Sequence, residues 1–116
     1  MKKHDLKRPA LIIPLLNEVD AFPLLYTKLS DNWKNQIIAV DNGSNDGTRQ
    51  WLSSNQIYTV HENNKGYGLA CFTGVEAAKE LGFKSIIFMD GDGSDSEKSL
   101  DRIEYQLKKN PNHFIF

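Results

Sequence analysis

The chain has 116 residues, of which 40% are hydrophobic and 25% are charged, and its net charge is −1. That length fits one domain with its own core, and the charge balance lacks the basic excess typical of nucleic-acid binding. The basic start has no apolar stretch of secretory-signal type behind it, and the run Ala10 to Leu16 is too short to span a bilayer. A single cysteine, Cys71, excludes an internal disulfide and is typical of a reducing compartment. We therefore expect a cytoplasmic protein, peripheral to the cytoplasmic face of a membrane only through parts outside this sequence.

The first half of the chain alternates between strand and helix signals. Residues 10–13 form an apolar run that predicts a strand ending at Pro14, because proline has no N–H for a strand ladder. A helix is expected from about Asp20 or Ala21, since Pro23 fits only in a first turn. Residues 36–40 predict a second strand, followed by a polar stretch in which Asp46 is a candidate N-cap of a short helix. Residues 57–60 predict a third strand.

The second half continues the alternation. Residues 69–81 have helical spacing and end at Gly82, and the mid-helix Gly74, which costs about 1 kcal/mol against alanine, indicates close packing against a neighbour. Residues 86–89 predict a fourth strand buried on both faces. A capping box from Ser94 to Glu97 predicts the start of a last helix, which bears Leu100, Ile103 and Leu107 and ends at Asn110-Pro111. Residues 114–116 predict the beginning of a fifth strand.

Alternating strands and helices with short connections predict a parallel α/β sheet with right-handed crossovers, in a Rossmann-like three-layer α/β/α arrangement. Residues 1–116 are expected to form a single domain and, because the chain stops inside an apolar strand signal, the amino-terminal portion of a longer protein. Four polar loops follow four strands and should lie at the same carboxyl edge of the sheet, where open α/β folds bind ligands.

Asp90 and Asp92 come directly after the fourth predicted strand, with Gly91 between them. Two carboxylates this close repel one another unless a cation lies between them. Oxygen ligands suit a hard divalent ion such as Mg²⁺ or Mn²⁺, which can also hold a phosphate. The stretch therefore predicts a metal–diphosphate site.

Other classes of site use similar residues. The run from Asp90 to Ser94 resembles the nucleophile motif of haloacid-dehalogenase-type phosphatases, although few residues follow it to supply the rest of such a site. An EF-hand loop is excluded, because it needs glycine where this chain has Asp95. The glycines at 66 and 68 lack the third glycine of a dinucleotide fingerprint. The phosphatase and a non-catalytic nucleotide- or metal-binding module remain as alternatives.

Four motifs follow one another along the chain, each at or shortly after the end of a predicted strand: residues 13–18 (IPLLNE), 40–48 (VDNGSNDGT), 64–70 (NKGYGLA) and 88–92 (FMDGD). Their order and spacing resemble those of family-2 glycosyltransferases, and among these the chain is similar to dolichyl-phosphate mannose and glucose synthases. The resemblance covers nearly the whole chain. It implies a GT-A fold, of which this sequence is the nucleotide-binding half, with a DXD motif at Asp90 and Asp92.

The resemblance also implies roles for particular residues. Pro14, Asn17 and Glu18 would line the nucleoside pocket, with Glu18 near the ribose, and Asp41 and Asn42 would hydrogen-bond the base. Lys65 and Gly66 would lie near the diphosphate, and Asp90 and Asp92 would hold the metal that bridges it. Leu16 and Gly91 stand inside these motifs and complete the expected nucleotide-binding set.

Two departures from the family pattern affect these roles. Asn42 stands where the second aspartate is more usual, so the nucleotide preference stays open. Ser94 stands where relatives of the mannose-synthase type often have a glutamine that reaches the metal, and it is equally a helix cap. Simpler roles exist for other residues too: Asp46 and Thr48 as helix caps, Asn17 as the cap of the first helix, Lys65 as a solvated loop lysine and Cys71 as a small core residue.

The expected reaction is metal-assisted transfer of a sugar from a UDP- or GDP-linked donor to a polyprenyl phosphate or a glycan. The acceptor-side groups of the family would lie beyond Phe116, so no catalytic base is named, and this portion alone is expected to be inactive. Neither the oligomeric state nor the sugar follows from the residues.

Overall fold

A computed structural model describes residues 4–93 and 96–110 of the chain. Strands and helices alternate in the following order: β1 Ala10–Leu15, α1 Phe22–Lys28, α2 Asp31–Lys34, β2 Ile37–Asp41, α3 Thr48–Ser54, β3 Thr59–His61, α4 Tyr67–Leu81, β4 Ile86–Phe88 and α5 Glu97–Lys109. The four strands pair in parallel in the order β3-β2-β1-β4. This confirms the predicted parallel α/β fold, while the predicted fifth strand, residues 114–116, lies outside the described residues.

The central strand β1 divides the core into two layers, because successive side chains of a strand point to opposite faces. Leu11, Ile13 and Leu15 pack on one face with buried residues of α1, α2, α3 and α5. Ala10 and Ile12 pack on the other face with β2 and α4. The three-layer arrangement is therefore confirmed.

Gly74 packs where α4 comes closest to the sheet. A Cβ atom built on it would lie 2.4 Å from Cγ2 of Ile12 and 3.1 Å from Cγ2 of Val40. Both neighbours are fully buried strand residues. The close packing expected from a mid-helix glycine is confirmed.

The prediction that Pro14 ends the first strand is wrong, since Pro14 lies inside β1 and pairs with Val40. The N–H of Ala10 donates to the Ser85 carbonyl and the Ile12 carbonyl accepts from Met89, so alternate residues of β1 bond toward β4. Pro14 is the next residue in that series, but the pairing of β4 ends at Phe88, opposite Ile12. Its missing N–H therefore removes no ladder bond.

Two predicted helix starts are also wrong. The N-cap of α3 is Gly47 rather than Asp46, although the Asp46 carboxylate accepts the Thr48 N–H at 3.0 Å. The N-cap of α5 is Ser96, whose hydroxyl accepts the Ser99 N–H, so the helix does not begin with a capping box at Ser94, which itself lies outside the described residues.

Other boundaries differ by a few residues from those expected. The second and third strands begin at Ile37 and Thr59, and α4 begins at Tyr67 rather than residue 69. The short helix α2 was not predicted, whereas Pro23 does lie in the first turn of α1, as expected. Across residues 4–93 and 96–110, none of the helices has the length and apolar character that crossing a bilayer requires.

Candidate functional site

A pocket of about 400 Å³ lies at the carboxyl edge of the sheet and receives residues from the loops after all four strands. Its lining residues are Pro14, Leu15, Leu16, Glu18, Asn42, Gly66, Tyr67, Ala70, Asp90, Gly91 and Asp92. The sheet order places β2 and β3 on one side of β1 and β4 on the other, so the order in which strands are added to the sheet switches sides at β1. Such switch points are where open α/β sheets bind ligands. The predicted convergence of the four loops is seen in the structure.

Hydrogen bonds join the loop after β1 to the loop after β2. The main-chain N–H groups of Asn17, Glu18 and Val19 donate to the side chains of Ser44, Thr48 and Asp46, at 3.0, 3.1 and 3.2 Å. In return the Asn17 side chain accepts the Asn45 N–H at 2.8 Å. These contacts fix Glu18 at the pocket. Asn17 joins the two loops, whereas Asp46 both joins them and accepts the N–H of Thr48, the first residue of α3.

The loop after β3, residues 62–66, is held from both sides. From β2, the Asn42 amide nitrogen donates to the carbonyls of Glu62 and Asn64 at 3.0 and 2.9 Å, and its oxygen accepts the Gly66 N–H at 3.1 Å. From α4, the Thr73 hydroxyl donates to the Glu62 carboxylate. Because Gly66 is the N-cap of α4, this loop sets where the first turn of that helix meets the pocket.

Asp90 and Asp92 are exposed at the mouth of the pocket, while Gly91 between them is buried. A Cβ atom on Gly91 would lie 2.2 Å from Cδ2 of Leu15, so the glycine lets the acidic loop approach β1. The Tyr67 hydroxyl donates to the Asp90 carboxylate at 3.3 Å. Burial, Cys71 and Asp90 raise the pKa of Tyr67 to about 12, so the hydroxyl keeps its proton at neutral pH.

The pocket concentrates negative charge. Burial raises the pKa of Glu18, and the charges of Asp92 and Asp46 raise it further. Asp92 therefore acts electrostatically on a carboxylate that arrives from a different strand. A cation placed among these groups would relieve the repulsion.

Three expected nucleotide-binding residues do not line this pocket: Asn17, Asp41 and Lys65. The Asp41 carboxylate is fully buried and accepts hydrogen bonds from the Ser44 N–H and the Arg49 guanidinium. Burial alone would raise the pKa of Asp41, but the hydrogen bonds from Ser44 and Arg49 outweigh it and lower the pKa. His61 adds a third neighbour, with Nδ1 3.5 Å from this carboxylate.

Three lining residues were not anticipated: Leu15, Tyr67 and Ala70. Tyr67 lies inside the motif 64–70, and Ala70 follows it by about one helical turn. Had the helix been predicted to begin at residue 67 instead of 69, Tyr67 and Ala70 would have been expected on the same face of α4. Leu15 lies between two expected residues of β1. The remaining eight lining residues were all expected.

The family is decided by a comparison with known protein families. The model of glycosyl transferase family 2 matches residues 10–116. The chain belongs to glycosyl transferase family 2. The match runs through all four loops that form the pocket, and it favours the glycosyltransferase interpretation of Asp90 over the phosphatase one.

Three curated proteins resemble the chain along most of the length of the chain. The undecaprenyl-phosphate mannosyltransferase of Micrococcus luteus is 31% identical over an alignment of 103 positions that covers 83% of this chain and 42% of the relative. The polyprenol monophosphomannose synthase of Mycolicibacterium smegmatis is 29% identical over 84% of this chain and 40% of its own length. The UDP-N-acetylglucosamine–dolichyl-phosphate N-acetylglucosaminyltransferase of Methanococcus voltae is 29% identical over 80% of this chain and 44% of its own length. This family-2 chain thus spans less than half the length of these relatives.

The donor groups at the pocket fit a divalent metal of the kind that binds substrate phosphates. Across residues 4–93 and 96–110, three or more metal-ligating side chains of His, Cys, Asp or Glu do not come together. Asp90 and Asp92 nevertheless line one pocket. Mg²⁺ is commonly held by one or two carboxylates, with water and substrate phosphates completing its coordination. Ser94, for which the sequence leaves both a metal role and a helix-cap role open, lies outside the described residues.

Proposed function

We propose that the protein transfers a sugar from a UDP- or GDP-linked donor to a lipid phosphate, and that this pocket binds the donor. The observation that carries the proposal is the meeting of Glu18, Asp90 and Asp92 with the first turn of α4 at the switch point of the sheet. The three relatives are named for undecaprenyl, polyprenol and dolichyl-phosphate chemistry. A polyprenyl phosphate is therefore the acceptor that we favour over a glycan, with the protein peripheral to the cytoplasmic face of a membrane.

The pocket residues divide the donor between them in this proposal. The Glu18 carboxylate accepts hydrogen bonds from ribose hydroxyls. The first turn of α4, which begins beside Gly66, has main-chain N–H groups without a partner inside the helix, and this end of the helix favours the diphosphate. Asp90 and Asp92 would hold Mg²⁺ or Mn²⁺, which when bound neutralises charge on the departing diphosphate. Tyr67 donates a hydrogen bond to Asp90 and so keeps that carboxylate oriented.

Calorimetry with UDP, GDP and CDP, each with and without Mn²⁺, tests the donor site. We expect one of the three to bind, and Mn²⁺ to tighten its binding. Asp92→Asn should weaken the metal-dependent binding about tenfold or more, because it removes one of two charged ligands of the ion. The matched control is Asp20→Asn, an exposed aspartate that does not line the pocket.

Binding that ignores Mn²⁺, or that Asp92→Asn leaves unchanged, would contradict the proposed metal role. Transfer of labelled sugar from the bound nucleotide to a polyprenyl phosphate tests the reaction itself. A non-catalytic nucleotide-binding module would pass the calorimetric test and leave the lipid phosphate unmodified.

A further inference from the structure

Asn42 makes three hydrogen bonds to the main chain of the loop 62–66 and is only 5% exposed. Two of its partners are carbonyl oxygens, which only accept, and the third is an N–H group, which only donates. These partners fix the orientation of the amide, with nitrogen toward the carbonyls and oxygen toward Gly66. Both N–H hydrogens are therefore used within the protein.

We propose that Asn42 is a positioning residue, whose amide clamps the loop 62–66 and thereby sets the wall of the pocket formed by Gly66, Tyr67 and Ala70. The Gly66 carbonyl accepts the first main-chain bond of α4 from Ala70 at 3.0 Å, so displacing Gly66 displaces the first turn of the helix. With both hydrogens engaged, Asn42 contacts a nucleobase only as an uncharged acceptor. Its main task is to hold the pocket open in a fixed shape.

An aspartate at this position would have the same size but the wrong chemistry. A carboxylate has no hydrogen to donate, so it would face the carbonyls of Glu62 and Asn64 with like partial charge. Protonation of the introduced carboxylate in the variant Asn42→Asp would restore one O–H donor to the loop carbonyls. The clamp in an Asn42→Asp variant should consequently fail at neutral pH and recover in acid, whereas loss of a purely steric contact would not depend on pH.

The test follows hydrogen exchange of the Asn64 amide in the ligand-free chain at pH 7.5 and pH 5, expressed as protection relative to the unstructured rate at each pH. The Asn64 N–H donates to the Glu62 carboxylate at 3.0 Å, and the Thr73 hydroxyl of α4 holds the same carboxylate, so this bond reports on the position of the loop against α4. The Thr73 hydroxyl and the Asn64 N–H lower the pKa of Glu62, so the reporter bond persists at pH 5. The Gly66 amide is the poorer reporter, since a carboxylate at position 42 would still accept it.

Asn42→Asp should lower the protection of Asn64 about tenfold at pH 7.5, the effect of leaving buried carbonyls unpaired, and should return to within about threefold of wild type at pH 5. Asn42→Ala should lose protection at both pH values, because it donates at neither. Asn63→Asp, an exposed residue of the same loop, introduces the same charge and should change nothing at either pH. The other titratable or charged groups around the clamp are Asp41, Arg49, His61, Glu62, Lys65, Glu18, Asp90 and Asp92, and all of them are also present in wild type and in Asn63→Asp.

Wild-type protection in Asn42→Ala, a loss in Asn42→Asp that does not depend on pH, or an equal loss in Asn63→Asp would overturn the proposal. If Asn42→Asp does not fold at pH 7.5, Asn42→Ala decides the clamp. Nucleotide affinity in the presence of Mn²⁺ should follow the same pattern, and this arm rests on the proposed function. If wild type binds no nucleotide, the proposed function fails while the exchange data still decide the role of Asn42.

Discussion

Gly91 is the residue on which the geometry of the acidic loop depends. It separates Asp90 from Asp92, and its missing side chain leaves room for Leu15 of β1, which is 1% exposed. A Cβ atom there would lie 2.2 Å from Cδ2 of Leu15 and 3.5 Å from Cγ2 of Ile13. Because both neighbours are core residues of the central strand, the loop rather than the strand would have to move.

Gly91→Ala is therefore expected to lower the free energy of unfolding by about 1–3 kcal/mol, the usual cost of overpacking a core. It should also weaken metal-dependent nucleotide binding, because Asp90 and Asp92 are displaced together. Urea unfolding and calorimetry measure the two effects. Unchanged stability together with unchanged binding would show that the loop adapts without moving its carboxylates.

At this scale the sequence identifies which residues are acidic or amide-bearing, but not their partners. The family resemblance assigns Asp41 and Asn42 to the base, yet Asp41 is buried against Arg49, and the Asn42 amide bonds to residues 20 and 22 positions further along the chain. Such contacts depend on how the loops after β2 and β3 lie together in space. Neither periodicity nor a motif encodes that arrangement.

The helix α4 illustrates what can be predicted of an element. Its 15 residues carry enough apolar positions to be recognised, and Gly82 in the left-handed conformation ends it as expected. The helix α2 has only 4 residues and one buried side chain, Trp33, which is too little for a periodic signal. The start of α5 shows a different limit, because Ser94 and Ser96 are both acceptable caps by sequence and the structure uses Ser96.

The two glycines of α4 provide a matched pair for testing its contact with the sheet. Gly74→Ala should lower the free energy of unfolding by about 1–3 kcal/mol, since the new methyl group would overlap Ile12 and Val40. Gly68→Ala, with nothing within 4 Å of the added Cβ, should instead raise it by about 0.5–1 kcal/mol through helix propensity. Urea denaturation of both variants measures the difference. Equal changes of the same sign would contradict the proposed packing.

At the scale of the whole molecule, the segment before β1 and the last helix are joined by polar contacts as well as by the core. The Arg8 guanidinium binds both oxygens of Glu104 in α5, with distances of 2.8 and 3.1 Å across 96 positions of sequence. It also donates to the Asn32 carbonyl at 2.8 Å and lies 4.7 Å from the ring centre of Trp33. Trp33 in turn donates to Asp101 of α5 at 2.8 Å. Together these contacts hold α5 against α2.

The strands of the sheet can be predicted from short apolar runs in the sequence. This junction cannot, because it combines residues far apart in the chain and a helix, α2, that has no periodic signal. It was accordingly not predicted. Its energetic weight follows from its geometry. The pair is bidentate and mostly buried, with side-chain exposures of 19% for Arg8 and 12% for Glu104, so it should contribute more than an open surface ion pair.

Arg8→Met is expected to lower the free energy of unfolding by about 1.5–3 kcal/mol, the range for hydrogen bonds to charged groups. Methionine keeps part of the apolar contact with Trp33, so the loss reports mainly on the polar bonds. Lys7→Met removes an exposed charge from the adjacent residue and should change stability by less than about 0.5 kcal/mol.

Urea unfolding of the double variant Arg8→Met/Glu104→Gln completes the comparison. Its destabilisation should be smaller than the sum of the two single changes, because each single change leaves the other partner without its ion pair. Additive losses would mean that Arg8 and Glu104 do not stabilise the protein through each other, and would contradict the proposed weight of this ion pair.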